Sequence, residues 1–283
     1  MALVDVQDFV DLDRYPIEAA GSAAYRRLVS EVQGQLAEDG CAVLRGFVRP
    51  DRVAALAREA DGVAAKGHRS FSRTNVYFTQ DRPDLPESHP LRRFYDRSNA
   101  FVPADNFGDG SILRGIYEWS CFPAFIQAAL GEARFHRYAD PLADVIINVV
   151  EEGEGFPWHF DTNNYTVTLA IQNGLEGGAF EYCPNLRSPD DENYAEVEAV
   201  LDGRSRRPKT LNLSAGDLQI FKGRYSLHRV TPVKGPRKRY VAIFSFVEEP
   251  DMVGSLERTR QLYGRVLPIH EERAGRRADT LID

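Results

Sequence analysis

The stretch WHFDTNNYTVTLAIQ, Trp158 to Gln172, decides how this 283-residue chain is read. It sets a histidine and an aspartate two residues apart, then begins an alternating run at Thr166, Val167, Thr168 and Leu169. Alternation with period two marks a strand half-buried in a sheet. On a strand, side chains at i and i+2 share a face. If the strand extends through His159 and Asp161, the two side chains converge on one point, as two ligands of a metal would. The plainer alternative is a histidine satisfied at a sheet edge.

The same pattern continues outward. From about Asp140, the runs DVIINVV, YTVTLAIQ, GGAFEYC, KTLNLSAGDLQIF, SLHRVTPV and RYVAIFSF are short, β-branched or aromatic, and separated by Gly, Asn and Asp turns. That is the signature of an antiparallel jelly roll. The first third reads as helical. AAYRRLVSEVQGQLAEDG repeats apolar residues at Leu28, Val32 and Leu36 and stops at Gly40. CAVLRGF reads as a strand, and RPDRVAALAREADGVAAKG as a helix capped by Asp51. PLRRFYDRSNAFVPADNFGDGS reads as a loop. SILRGIYEWSCFPAFIQAALG reads as a helix interrupted at Pro123 and stopped at Gly131. The expected fold is therefore α+β, a double-stranded β-helix (jelly-roll) core with a helix-rich N-terminal part. It is one domain over residues 1–283: a helix-rich part over 1–139, the jelly roll over 140–268 with a partly helical insertion near 185–209, and a tail over 269–283.

Composition narrows the partners. A net charge of −7 argues against nucleic acid or an anionic membrane as the main partner, since both select basic faces. The basic run Arg204–Lys209 sits in the polar insertion and reads as a solvated loop. Cys41, Cys121 and Cys183 are far apart, which suits neither a disulfide framework nor a zinc cluster. MALVDVQDFVDLDRYP has no basic, then apolar, leader pattern, and no apolar run approaches the ~20 residues needed to span a bilayer. The cytoplasm is the expected compartment.

A metal held by His159 and Asp161 needs a third ligand. His228, in YSLHRVTP, lies 69 residues later at the start of another expected strand. In a jelly roll, strands that far apart in sequence can be neighbours. Two histidines and one carboxylate form the facial triad of non-haem Fe(II) oxygenases. His68, His89, His136 and His270 lack a carboxylate at this spacing and read as structural or surface residues. Arg239 opens the strand RYVAIF, and its planar fork suits a carboxylate such as that of 2-oxoglutarate. Arg237, two residues earlier in the turn after Pro236, is its rival. GLEGG is a turn, without the GxxxxGK[ST] pattern of a phosphate loop.

HxD…H…R on a β-rich half resembles the Fe(II)/2-oxoglutarate-dependent dioxygenase superfamily. RTNVYFT, YADPLADVIINV, WHFDTNNYTVTLAIQ, EGGAFEYCPNLRSPDDENY, GDLQIFKGRYSLHRVTPVKG, RYVAIFSF and RTRQLYGR together resemble the group of free-amino-acid radical halogenases and their hydroxylase relatives, over roughly residues 70–268. In the halogenases the carboxylate position is a small residue, usually Gly, which leaves room for chloride. Here it is Asp161, so the resemblance implies a hydroxylase. Known lysine-acting members carry a histidine three residues before the first ligand, where this chain has Phe156. The resemblance implies Fe(II), 2-oxoglutarate and O2, with His159, Asp161 and His228 on the metal and Arg239 on the keto acid. The product set is a hydroxylated small amino acid or related metabolite, succinate and CO2.

Substrate contacts are expected from Arg73, Asn75 and Tyr77, which alternate along RTNVYFT, and from Asn163 after the metal motif. Arg73 would hold the substrate carboxylate. Trp158 and Asn148 are candidates for orienting the ligands from behind. Three other readings stay open: the same iron chemistry ending in desaturation or cyclisation, a zinc hydrolase, and a non-catalytic metal-binding β-sandwich.

Overall fold

The computed structural model describes residues 5–273. Its helices are α1 (Ala23–Asp39), α2 (Val53–Ala64), α3 (Ile112–Glu118), α4 (Cys121–Leu130), α5 (Tyr194–Leu201), α6 (Leu256–Tyr263) and α7 (Pro268–Arg273). Its strands are β1 (Cys41–Leu44), β2 (His68–Thr74), β3 (Tyr95–Val102), β4 (His136–Arg137), β5 (Val145–Val150), β6 (Phe156–His159), β7 (Thr166–Gln172), β8 (Glu176–Gly177), β9 (Phe180–Cys183), β10 (Lys209–Leu211), β11 (Leu218–Phe221), β12 (Leu227–Val230), β13 (Val233–Lys234), β14 (Arg239–Phe244) and β15 (Phe246–Val247). Seven strands form one antiparallel sheet in the order β1-β11-β7-β14-β5-β3-β2, and four form a second in the order β10-β9-β12-β6. The two sheets enclose a cavity lined from both. This is the double-stranded β-helix.

Period-two alternation divides the large sheet between two tasks. Ile147 and Val149 of β5, Val167 and Leu169 of β7, and Ala242 and Phe244 of β14 face a helical layer. That layer supplies Leu28, Val32 and Leu36 of α1, Leu56 and Ala60 of α2, and Phe122 and Phe125 of α4. Burial of each such Val, Leu, Ile or Phe side chain contributes about 1.5–3 kcal/mol. The intervening residues, Ile146 and Asn148 on β5 and Arg239, Val241 and Ile243 on β14, line the cavity instead. α1 ends as its sequence requires: Gly40 takes φ 60° and its N–H bonds the Leu36 carbonyl.

Several sequence expectations need correction. The helix after β1 is not capped by Asp51; it starts at Val53, and Arg52 at its N-cap makes no side-chain cap bond. The break between α3 and α4 falls at Trp119, whose backbone is extended, while Pro123 sits in the first turn of α4, where a missing N–H costs nothing. The supposed loop around YDRSNAFV is β3, paired with β2 on one side and β5 on the other. Its polar letters hid it: Arg97 and Asn99 are buried. β2 ends at Thr74, so RTNVYFT is not one strand. β1, β2 and β3 place parts of the first 139 residues in the same sheet as the later strands. The 185–209 insertion contains α5. The tail expected over 269–283 is helical up to Arg273, and its remainder lies outside the described residues. The three cysteines are free. No described helix is long and apolar enough to cross a membrane.

Candidate active site

β6 and β12 are antiparallel neighbours, and His159 and His228 are directly opposite each other in their register. Directly opposed residues share a face, so a separation of 69 residues becomes a ring-to-ring distance of 4.1 Å. β6 ends at His159 and does not run on through Asp161, as the sequence suggested. Extended backbone carries the alternation past the strand end. The Phe160 N–H bonds the Val76 carbonyl and its ring turns away to stack on Tyr77, while the Asp161 N–H bonds the Gly223 carbonyl. Asp161 Oδ1 then lies 3.7 Å from His159 Nε2 and 3.3 Å from His228 Nε2.

Backbone carbonyls fix both imidazoles. His159 Nδ1 donates to the Pro157 carbonyl at 2.8 Å, and His228 Nδ1 to the Ser226 carbonyl at 2.9 Å. Both Nε2 lone pairs are thereby turned toward Asp161. Burial, reinforced by His228, pushes His159 well below the usual imidazole range, so it is neutral at pH 7. Burial is also the largest influence on Asp161 and opposes its ionisation. The two imidazoles and the Thr166 hydroxyl, which donates to Oδ2 at 2.6 Å, outweigh it and hold the carboxyl well below its usual range. Two imidazoles and one carboxylate, with ligand atoms all within 4.8 Å of one another, fit the facial donor set for Fe(II).

Gly223 makes room for the carboxylate. A Cβ there would fall 1.9 Å from Asp161 Oδ2 and 2.6 Å from its Cγ. Gly223→Ala should therefore push Asp161 out of place and weaken Fe(II) binding by roughly ten- to a hundredfold, the range for lost ligand support, with the fold intact. Fe(II) titration alongside a thermal melt checks this.

Arg239 is buried on the cavity wall, opposite Val150 in the ladder. Burial lowers its pKa to about 10, so it stays cationic at neutral pH. A buried cation without an anionic neighbour is costly unless an anion arrives. Arg237 is exposed in the turn before β14. Arg239 thus fits the distal carboxylate of 2-oxoglutarate.

The structure does not bring the expected substrate residues together. Arg73 is exposed on β2, beside a separate surface groove. Asn75 is buried and builds a turn: its Oδ1 accepts from the N–H groups of Tyr77 and Thr79, and its Nδ2 donates to the Leu91 carbonyl at 2.9 Å. Tyr77 packs between Phe160 and Tyr194, away from the cavity. Asn163 and Asn148 do line the cavity, and Asn148 donates to the Ala100 carbonyl. Trp158 lies on the other face of β6, under Arg229 at 4.7 Å.

Two residues were missed. The Asn75 turn leaves Phe78 at φ 60°, a strained conformation for a bulky residue, with its ring in the cavity 5.7 Å from His159. Arg97, on β3, is fully buried between Phe156 at 4.1 Å and Phe78 at 5.3 Å. Its Nε and Nη1 have no hydrogen-bond partner. Burial, with help from Arg258, pushes its pKa well down, the condition of a cation awaiting an anion. Reading β3 as a strand would have found Arg97; nothing in the sequence marked Phe78.

The Halogenase D family model matches residues 25–263. Among solved structures, the chain resembles the non-haem α-ketoglutarate-dependent carbocyclase SnoK from nogalamycin biosynthesis at 15% identity and TM-score 0.55, over 79% of this chain and 85% of that one. The epimerase SnoN in complex with Fe3+, α-ketoglutarate and nogalamycin RO matches at 14% identity and TM-score 0.54, over 79% and 84%. AviO1 from Streptomyces viridochromogenes Tue57 matches at 16% identity and TM-score 0.54, over 78% and 95%. These likenesses are likenesses of fold. A search of curated proteins finds no match.

Proposed function

The chain belongs to the Halogenase D family, within the Fe(II)/2-oxoglutarate-dependent oxygenases, and from that premise we propose that it hydroxylates an unactivated C–H of a small free amino acid or amino-acid-like metabolite. The observation that carries the reading is Asp161, whose carboxylate sits 3.3 Å and 3.7 Å from the two Nε2 atoms, where a halogenase leaves room for halide. His159, Asp161 and His228 would hold the iron. Arg239 would hold the distal carboxylate of the keto acid.

Bound iron with 2-oxoglutarate supplies O2-dependent oxidation of C–H bonds, giving succinate and CO2. The chain contributes placement. Its two carbonyl-locked imidazoles and the Thr166-braced carboxylate fix the donor geometry before the metal arrives. Phe78, Phe156, Phe180 and Phe221 surround the two histidines and keep water from them. Arg97, on the cavity wall with Nε and Nη1 unpartnered, takes over the role first assigned to Arg73 and anchors the substrate carboxylate. The cavity measures about 240 Å³, near the lower end for small-molecule sites, about 300 Å³. That supports a free small molecule over a peptide or carrier-bound substrate. The compartment we assign is the cytoplasm.

One experiment tests both halves. The Fe(II) enzyme with 2-oxoglutarate, screened against free amino acids in a large excess of chloride, should release succinate and give a hydroxylated product with no chlorinated one. A chlorinated product would overturn the role given to Asp161. Turnover confined to carrier-linked or peptide substrates would overturn the substrate class.

A further inference from the structure

We propose that the substrate is a free acid with an uncharged side chain, and that the cavity rejects cationic side chains; the inference rests on the hydroxylase reading above. It comes from a charge inventory of the cavity wall. The cations facing it are Arg97, Arg239 and Arg258. The carboxylates are Asp140 and Asp161. Asp161 faces the two imidazoles.

Asp140 is fully engaged elsewhere. Its Oδ1 accepts from the Leu142 N–H at 2.8 Å, and its Oδ2 from the Gly254 N–H at 2.9 Å and from His270 Nε2 at 3.0 Å. Neither side chain of the Asp140–His270 pair reaches solvent, and the pair ties α7 to the loop before β5. Among the described residues lining the cavity, no carboxylate is left to receive a substrate ammonium at the side-chain end.

With Arg239 matched to the keto acid and Arg97 to the substrate carboxylate, the rest of the wall is uncharged: apolar at Phe101, Ile146, Phe156, Val241, Ile243 and Leu262, and neutral polar at residues such as Asn148, Asn163, Thr168 and Gln219. A side-chain ammonium there would meet neutral dipoles but no carboxylate, in a cavity that already holds three guanidinium groups. A second carboxylate would have to draw Arg258 from Phe78, over which it is held at 4.5 Å, and from Gln261, to which it bonds at 2.9 Å. A methyl or methylene group loses nothing there. The small volume, shared with the keto acid, favours a compact side chain.

The test is a panel of free acids on the Fe(II)–2-oxoglutarate enzyme: leucine, isoleucine and norvaline against lysine, ornithine and glutamate. Equilibrium binding is read anaerobically by calorimetry, and succinate release is read in air. The aliphatic acids should bind at least about ten-fold more tightly, a difference well within what one desolvated charge imposes. Ile243→Glu, which places a carboxylate on the wall, should move the preference toward ornithine and lysine. Equal or tighter binding of lysine, ornithine or glutamate by the unaltered enzyme would overturn the proposal and leave the hydroxylase reading standing. Failure of every free acid to bind or release succinate would overturn the free-acid reading itself, and this inference with it.

Discussion

His228→Ala should abolish Fe(II) binding at ordinary metal concentrations and with it turnover, while the protein still folds. Four-ligand metal sites bind with apparent free energies of about 10–16 kcal/mol, so one ligand is worth about 3–4 kcal/mol, or roughly two to three orders of magnitude in affinity. The remaining pair, His159 and Asp161, cannot define a facial set. The imidazole's Nδ1 bond to the Ser226 carbonyl is a small part of the native state, worth about 1 kcal/mol, so unfolding should shift little. Anaerobic Fe(II) titration and a circular-dichroism melt of the same sample separate the two effects. Near-normal turnover would remove His228 from the ligand set. Asp161→Asn keeps an oxygen but loses the charge, and should fall between the variant and the native enzyme.

Arg239→Ala should raise the apparent Kd for 2-oxoglutarate by about thirtyfold to several thousandfold. Truncating one partner of a buried, hydrogen-bonded charge pair costs about 2–5 kcal/mol, and Arg239 is buried and cationic. Arg239→Lys keeps the charge but not the two-pronged geometry, so it should recover only part of the loss. Arg237→Ala, altering an exposed turn residue, should change the Kd less than about threefold. Titration of the keto acid at fixed Fe(II), anaerobically, measures all three. If Arg237→Ala had the larger effect, the keto acid would be held at the turn and not on β14.

The parts of the fold legible in the sequence were those whose periodicity served one purpose. Leu28, Val32 and Leu36 point to one helix face, and all three are buried in the core. YTVTLAIQ and RYVAIF alternate because one side meets helices and the other the cavity. His159, Asp161 and His228 could be picked out because few residue types and spacings suit a metal, and the structure brings the three together. β3 was illegible for the opposite reason. Its polar Arg97 and Asn99 are buried, so polarity and exposure part company on that strand. The substrate wall failed for a related cause. RTNVYFT alternates as a strand would, but the Asn75 side chain captures two backbone N–H groups and turns the chain, which sends Phe78, and not Tyr77, into the cavity.

The division of labour along β14 carries a consequence for how such a site diversifies. Tyr240, Ala242 and Phe244 are locked into the helical layer, and the Tyr240 hydroxyl donates to Asp61 of α2 at 2.8 Å. Val241 and Ile243 line the cavity, and Ile243 also packs against the cluster of Phe101, Leu142, Ile146 and Tyr263. Substitutions at Val241 alter the shape offered to a ligand without touching the packing against the helical layer. A change at that position is felt first by the ligand and only secondarily by the scaffold, so the selectivity of this wall can shift in single steps.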